Sequence, residues 1–413
     1  MGPNRDDVWR ETGILDKFPV AGPKVVWRMP VGGGYAGPAV AGGRVFVSDF
    51  VPDNSAAVPP NDPMKRPEIA GKERTLCFNA ADGKLLWTHA YDCPYRISYP
   101  AGPRCTPTVD GERVYTVGAM GNLFCLEAAT GNVVWSVDYK KDYGVKPPTW
   151  GFAGHPLVDG NKLICIVGGE GSVAVAFDKA TGKELWRALS AKEPGYSSPT
   201  VIEAGGKRQL IIWHSEAVNS LDPETGKVWW SVPLVPDFGM AIMAPQKSGN
   251  YLYAAGIDKK GLLLKLSADR PAAEVVWRGT KDTAVYPVNS TPLLEDGYIY
   301  GVCTESQLRC VKLETGERIW DTMVPTLGSK RGRSGTAFLV KNGDRHFLFN
   351  ETGHLIIARL SPKGYEELGR VKLLEPTGSA FGRDVVWSHP AFAGKCVFAR
   401  NDKEIVCVSL AAE

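Results

Sequence analysis

Short apolar runs, separated by polar and glycine-rich turns, make up nearly the whole chain. Val45-Phe46-Val47, Leu163-Ile164-Cys165-Ile166-Val167 and Ile405-Val406-Cys407-Val408 are three of them. Runs this short, rich in β-branched residues and flanked by alternating positions, predict strands and not helices. No apolar run is long enough to cross a bilayer as a helix.

The runs recur with a signature, Gly-x-x-x-Trp. It reads Gly83 to Trp87, Gly131 to Trp135, Gly182 to Trp186, Gly226 to Trp230 and Gly316 to Trp320. Asp or Thr precedes each glycine and an apolar strand precedes that, so each copy predicts a hairpin whose turn uses the conformational freedom of glycine. Degenerate copies keep the rhythm: Trp277 stands without the glycine, Gly364 leads to Leu368, and Trp27 has only the second half of a copy. The marker positions 27, 87, 135, 186, 230, 277, 320 and 368 give eight copies. One tryptophan per copy at one register predicts packing between neighbouring units, with the indole N–H bonded to a turn.

A second pattern runs in phase. A small residue and a proline open each copy, as in Gly37-Pro38, Thr106-Pro107, His155-Pro156 and Ser198-Pro199, and the others begin near Pro245, Pro292, Thr336 and Pro390. Each copy therefore has four short strands. Eight such units predict an all-β fold, an eight-bladed β-propeller of four-stranded antiparallel blades. The N-terminal Trp27 strand lacks its blade and the last copy lacks its outer strand, so pairing the two closes the ring and removes two open sheet edges. Residues 1–21 read as a leader and 22–413 as one propeller, with an insertion in the first blade at about 49–75.

Charge narrows the function. The 48 basic and 45 acidic residues leave a net charge of +3, and no basic stripe suggests a nucleic-acid partner. The densest basic cluster, Lys330, Arg331 and Arg333, reads as a solvated loop. Nine cysteines include Cys77, Cys125, Cys310 and Cys407 at one point of the repeat, which read as buried apolar residues. Cys93 and Cys105 bracket a Pro- and Tyr-rich connector and are the candidate disulfide in an oxidising compartment.

The repeated hairpin, as in Ala180-Thr181-Gly182-Lys183-Glu184-Leu185-Trp186, resembles the tryptophan-docking repeat of the quinoprotein (PQQ-like) propellers, from about residue 22 to 413. The opening Gly2-Pro3-Asn4-Arg5-Asp6 resembles secreted PQQ-like repeat proteins of planctomycete-type bacteria. The enzymatic branch, PQQ-dependent alcohol dehydrogenases, implies adjacent cysteines, an Asp base and bound calcium. This chain has no Cys-Cys pair and no C-x-x-C-H haem motif. The resemblance thus implies the BamB-like, non-enzymatic branch: a monomeric periplasmic or cell-envelope scaffold, without cofactor, binding a protein or polymer on one face. A PQQ- and calcium-dependent alcohol or sugar dehydrogenase, or a carbohydrate- or small-molecule-binding propeller, are the alternatives.

In a propeller the connector between blades descends toward the central channel. Three residues before each inner-strand proline, or its equivalent, stand Tyr35, Arg104, Ala153, Tyr196, Ile242, Asn289, Arg333 and Trp387. A purely structural register repeats one residue type, and this one does not. Tyr35, Arg104, Tyr196, Asn289, Arg333 and Trp387 are therefore the candidate ligand-binding residues of a channel mouth. His155 and His389, each directly before a proline, join them, but their blades stand too far apart around the ring for the two to share a metal. No catalytic residue and no metal site is predicted.

Overall fold

A computed structural model of the chain describes residues 2, 4–55, 66–330 and 332–412. Among these residues, eight four-stranded antiparallel sheets follow one another in sequence as blades. Blade 1 spans 39–92, blade 2 108–138, blade 3 157–188, blade 4 200–233, blade 5 246–278, blade 6 293–322 and blade 7 337–372. Blade 8 takes three strands from 391–409, and its fourth is Val25–Pro30. That outer strand pairs Trp27 with Cys407 and Arg28 with Val406, and Arg28 adds an ion pair to Glu404 at 3.0 Å. The expected closure is present.

The docking tryptophans show why the repeat has its form. The cysteines at the common point of the repeat pair directly across from them: Cys77 with Trp87, Cys125 with Trp135, Cys310 with Trp320 and Cys407 with Trp27. A β-bulge lies at or beside each of these pairs, and it turns the tryptophan toward the next blade. There its Nε1 donates to a turn carbonyl. Trp27 reaches Ala80, Trp87 Ala128, Trp135 Lys179, Trp186 Pro223, Trp277 Leu313 and Trp320 Ser361, at 2.8–3.2 Å. The glycine of that same turn lies against the ring. A β-carbon on Gly83, Gly131, Gly182 or Gly226 would sit 2.5–2.7 Å from Trp27, Trp87, Trp135 or Trp186. Each of these four glycines thus serves the tryptophan of the copy before it, whereas a β-carbon on Gly364 would meet nothing within 4 Å.

Trp230 departs from the expectation. The hairpin of blade 5, which it faces, has no docking glycine, and the Trp230 indole donates instead to Gln209 Oε1 in its own blade, at 3.0 Å. Gln209 is fully buried and also binds Ser220 and the Ala204 carbonyl.

Two features depart from plain repetition. The first blade's second and third strands, Arg44–Pro52 and Gly71–Asn79, are nine residues long and carry the insertion outward as an extended hairpin. Residues 56–65 of that insertion lie outside the described residues, as does Arg331 of the basic cluster. A two-stranded hairpin, Gly378–Ala380 with Arg383–Val385, stands between blades 7 and 8.

Residues 5–15 pack on the face opposite the inter-blade connectors. Val8 bridges Lys341, Ile14 bridges Ala411, and Asn342 donates to the carbonyls of Trp9 and Glu11. Trp9 is buried between Phe347 and Phe392. Arg5 extends into the channel and donates to the carbonyl oxygens of Pro199, at 2.9 Å, and Pro156. Burial lowers its pKa to about 10.

Candidate functional site

The connectors bring all eight register positions to one place. Tyr35, Arg104, Ala153, Tyr196, Ile242, Asn289, Arg333 and Trp387 line a single central cavity of about 2260 Å³. Arg5 and Asp7 of the N-terminal segment also line it.

The walls differ in chemistry. On the side of blades 7, 8 and 1 the groups are aromatic and basic. Glu351, fully buried, is the hub: it accepts from Arg383 Nε at 2.6 Å, from the Trp387 indole at 3.1 Å and from the Thr336 amide at 3.1 Å. Trp387 stands between Tyr99 and Phe381, at ring separations of 5.9 and 6.4 Å. The guanidinium groups of Arg333 and Arg383 both lie 5.8 Å from the Phe381 ring. Arg104 lies over the Tyr35 ring at 4.9 Å and gives its N–H groups to the carbonyls of Gly102, Ser98 and Tyr99. Asn289 accepts from the Thr336 hydroxyl.

The opposite side, at blades 4 and 5, carries Glu193, Glu216, Asp237 and Asp258. Its lip is apolar: Val235 and Phe238 are 55% and 66% exposed, and across the opening Phe381 is 49% exposed. The lining carries charges of both signs, with Lys192 and Arg66 near Glu193, so a ligand that bridges the cavity meets both.

His155 and His389 line the same cavity but do not converge on a metal. Burial, with the nearby Arg5 charge, lowers the His155 pKa to about 3. Burial likewise lowers His389 to about 4, while Asp7 Oδ1, 3.6 Å from its Nε2, opposes the shift. Among the described residues, no group of three or more His, Cys, Asp or Glu side chains is placed to hold a metal ion.

Cys93 and Cys105 do not form the expected disulfide. Both are free and buried in separate clusters, Cys93 beside Phe50, Ile69 and Tyr95, and Cys105 beside Tyr115, Phe152 and Cys165. Polar groups tie the connector down instead. Glu73, fully buried, accepts from the Tyr91 and Tyr95 hydroxyls and from the Ala119 amide at 2.8 Å, and Arg104 bonds the loop carbonyls.

Tyr99, Glu193, Glu351, Phe381 and Arg383 escaped the sequence reading. Tyr99 and Phe381 both have φ of +51°, a backbone state that no side-chain pattern signals. Phe381 and Arg383 belong to the extra hairpin, whose Gly382 turn was the available clue.

The profile of the PQQ_2 family, described as "Outer membrane protein assembly factor BamB", matches residues 14–138, 71–322 and 214–413. The chain belongs to this family. Its relatives fall in two groups. BamB of Shewanella oneidensis is 22% identical over 252 residues, 59% of this chain and 62% of that protein. The dehydrogenase subunit of the quinone alcohol dehydrogenase of Komagataeibacter europaeus is 33% identical over 220 residues, 48% of this chain and 29% of that protein. The chain thus spans less than two thirds of either relative. Among solved structures, BamB from Moraxella catarrhalis superposes with a TM-score of 0.61 at 14% identity, covering 94% of this chain and 99% of that one, which shows the shared fold of the family.

Proposed function

We propose that this PQQ_2-family propeller is a non-catalytic scaffold of the periplasm or cell envelope that seats a segment of a protein or polymer partner on its connector face. The observation that carries this reading is the mouth itself. Eight connector residues of six types surround a wide cavity, and exposed Val235, Phe238 and Phe381 give it an apolar lip. Exposed apolar groups around a polar well suit a macromolecular surface.

The test is site-specific photo-crosslinking in an envelope preparation from Phe238 and Phe381, with Val20 on the N-terminal segment as the control position. Discrete adducts from the two mouth positions and none from Val20 support the scaffold. The quinone dehydrogenase relatives keep a second reading alive, and the Arg333, Trp387 and Tyr99 group is the observation that favours it. Titration with PQQ, with and without calcium, separates them: tight binding accompanied by dye reduction with alcohols or sugars overturns the scaffold.

A further inference from the structure

The connector between blades 3 and 4 holds two polar atoms that the described chain uses little. Glu193 Oε2 and the Tyr196 hydroxyl are buried and have no well-formed hydrogen bond among the described residues, the hydroxyl having only a weak contact from the Trp150 backbone. Both residues line the central cavity. Tyr196 is only 6% exposed, and its ring meets Trp150 edge-on at 5.8 Å. Trp150 lines the cavity beside it.

Glu193 is held in place. Its carbonyl accepts from the Ser215 hydroxyl at 2.8 Å. Gly239 of the next connector closes over the carboxylate, so that a β-carbon there would stand 3.1 Å from Oε2. Arg66 and Lys192 also line the cavity, and the Arg66 charge acts on Glu193 without forming an ion pair with it. Arg66 donates to Thr149 at 3.1 Å, and Arg104 gives its hydrogens to three carbonyls. Neither forms an ion pair with Glu193. Burial pushes the Glu193 carboxyl above its ordinary range, with the Arg66 charge only partly opposing it. A buried carboxylate oxygen with no partner costs free energy and calls for an explanation. A cation beside aromatic rings supplies one.

We infer that the corner formed by Glu193, Tyr196 and Trp150 is a subsite for an organic cation, an ammonium or guanidinium group. Glu193 neutralises the charge, the Tyr196 oxygen accepts an N–H, and the two rings form the walls. The source assigned to that cation, a lysine or arginine side chain of the bound partner, rests on the scaffold reading. The chemistry of the subsite does not.

The test is calorimetric titration of the full chain with N-acetyl-lysine amide, N-acetyl-arginine amide and n-butylamine, against the neutral N-acetyl-norleucine amide and N-acetyl-citrulline amide. The charged probes are expected to bind at least about tenfold more tightly than the neutral ones, and Glu193→Gln to remove that preference. The unfolding temperature of Glu193→Gln should match or exceed that of the unaltered chain, because a half-buried carboxylate without an ion pair has gone. Tyr196→Phe, which removes only the hydroxyl, should weaken charged probes about threefold and serves as the second variant. A lysine-centred pentapeptide that binds more tightly than butylamine supports a partner side chain as the source, and equal binding keeps the subsite but removes that source. Equal affinity for charged and neutral probes, or an undiminished preference in Glu193→Gln, overturns the inference. Cross-links from Phe238 and Phe381 would leave the scaffold standing in that case.

Discussion

Gly131 lies against the Trp87 indole so closely that a β-carbon on it would stand 2.5 Å from the ring. It also has φ of +77°, so alanine meets strain in both backbone and packing. Gly131→Ala should destabilise the protein by about 3 kcal/mol. Gly111, with φ of +56° and nothing within 4 Å of an added β-carbon, isolates the backbone share, and Gly111→Ala should cost about 1 kcal/mol. Denaturant unfolding of the two variants separates the docking contact from the turn.

Gln209 takes the place of a docking turn for Trp230. Replacing it by leucine strands the Trp230 N–H and the Ser220 hydroxyl, both of which donate to its Oε1. Gln209→Leu should cost about 3 kcal/mol, and Trp230→Phe, which removes a donor and leaves the Ser220 bond, about 1 kcal/mol less. Thermal unfolding of both variants measures the difference.

Glu295 accepts from His346 Nε2 at 2.8 Å and from Lys341 Nζ at 2.5 Å. Burial opposes its ionisation, but these two partners prevail and hold its pKa below the ordinary carboxylate range. A carboxyl lowered in the folded state binds fewer protons there than in the unfolded chain. Its contribution is therefore present above the ordinary carboxylate pKa and lost as pH falls through the folded value. Glu295→Gln should cost about 1 kcal/mol at pH 7, and the gap to the unaltered protein should close below pH of about 4. A pH series of denaturant midpoints checks the sign.

Trp9 anchors the N-terminal segment, while Arg5 only reaches from it. Trp9→Ala should free the segment, so that the amides of Trp9 and Leu15, bonded to Lys341 and Leu410, exchange rapidly with deuterium. Arg5→Ala should leave those amides protected, because Trp9 remains packed between Phe347 and Phe392. Hydrogen-exchange mass spectrometry reads both variants.

The propeller was legible because its stabilising contact is local in sequence: a glycine, a strand and a tryptophan at fixed spacing. The same regularity exposed the channel register, since Tyr35, Arg104, Tyr196, Asn289, Arg333 and Trp387 break a pattern that everything around them keeps. What the sequence hid depends on distant partners. Nothing near Cys93 and Cys105 announces that Glu73, from a strand of the preceding blade, anchors their connector. Nothing in residues 1–21 marks Arg5 as bonded to carbonyls 151 and 194 positions away. Glu193 looked like one of many surface carboxylates until Gly239 was seen to cover it.

The strand Val25–Pro30 finds its partner only in Glu404–Ser409. Until these two strands meet, a row of finished blades has an unpaired edge at each end. Blade contacts are mostly between neighbours and form early, whereas this pairing joins opposite ends of the chain and bears the full entropy of closing it. The propeller's vulnerable moment is thus the interval before Glu404–Ser409 meets Val25–Pro30, and loss of either strand would leave the ring open.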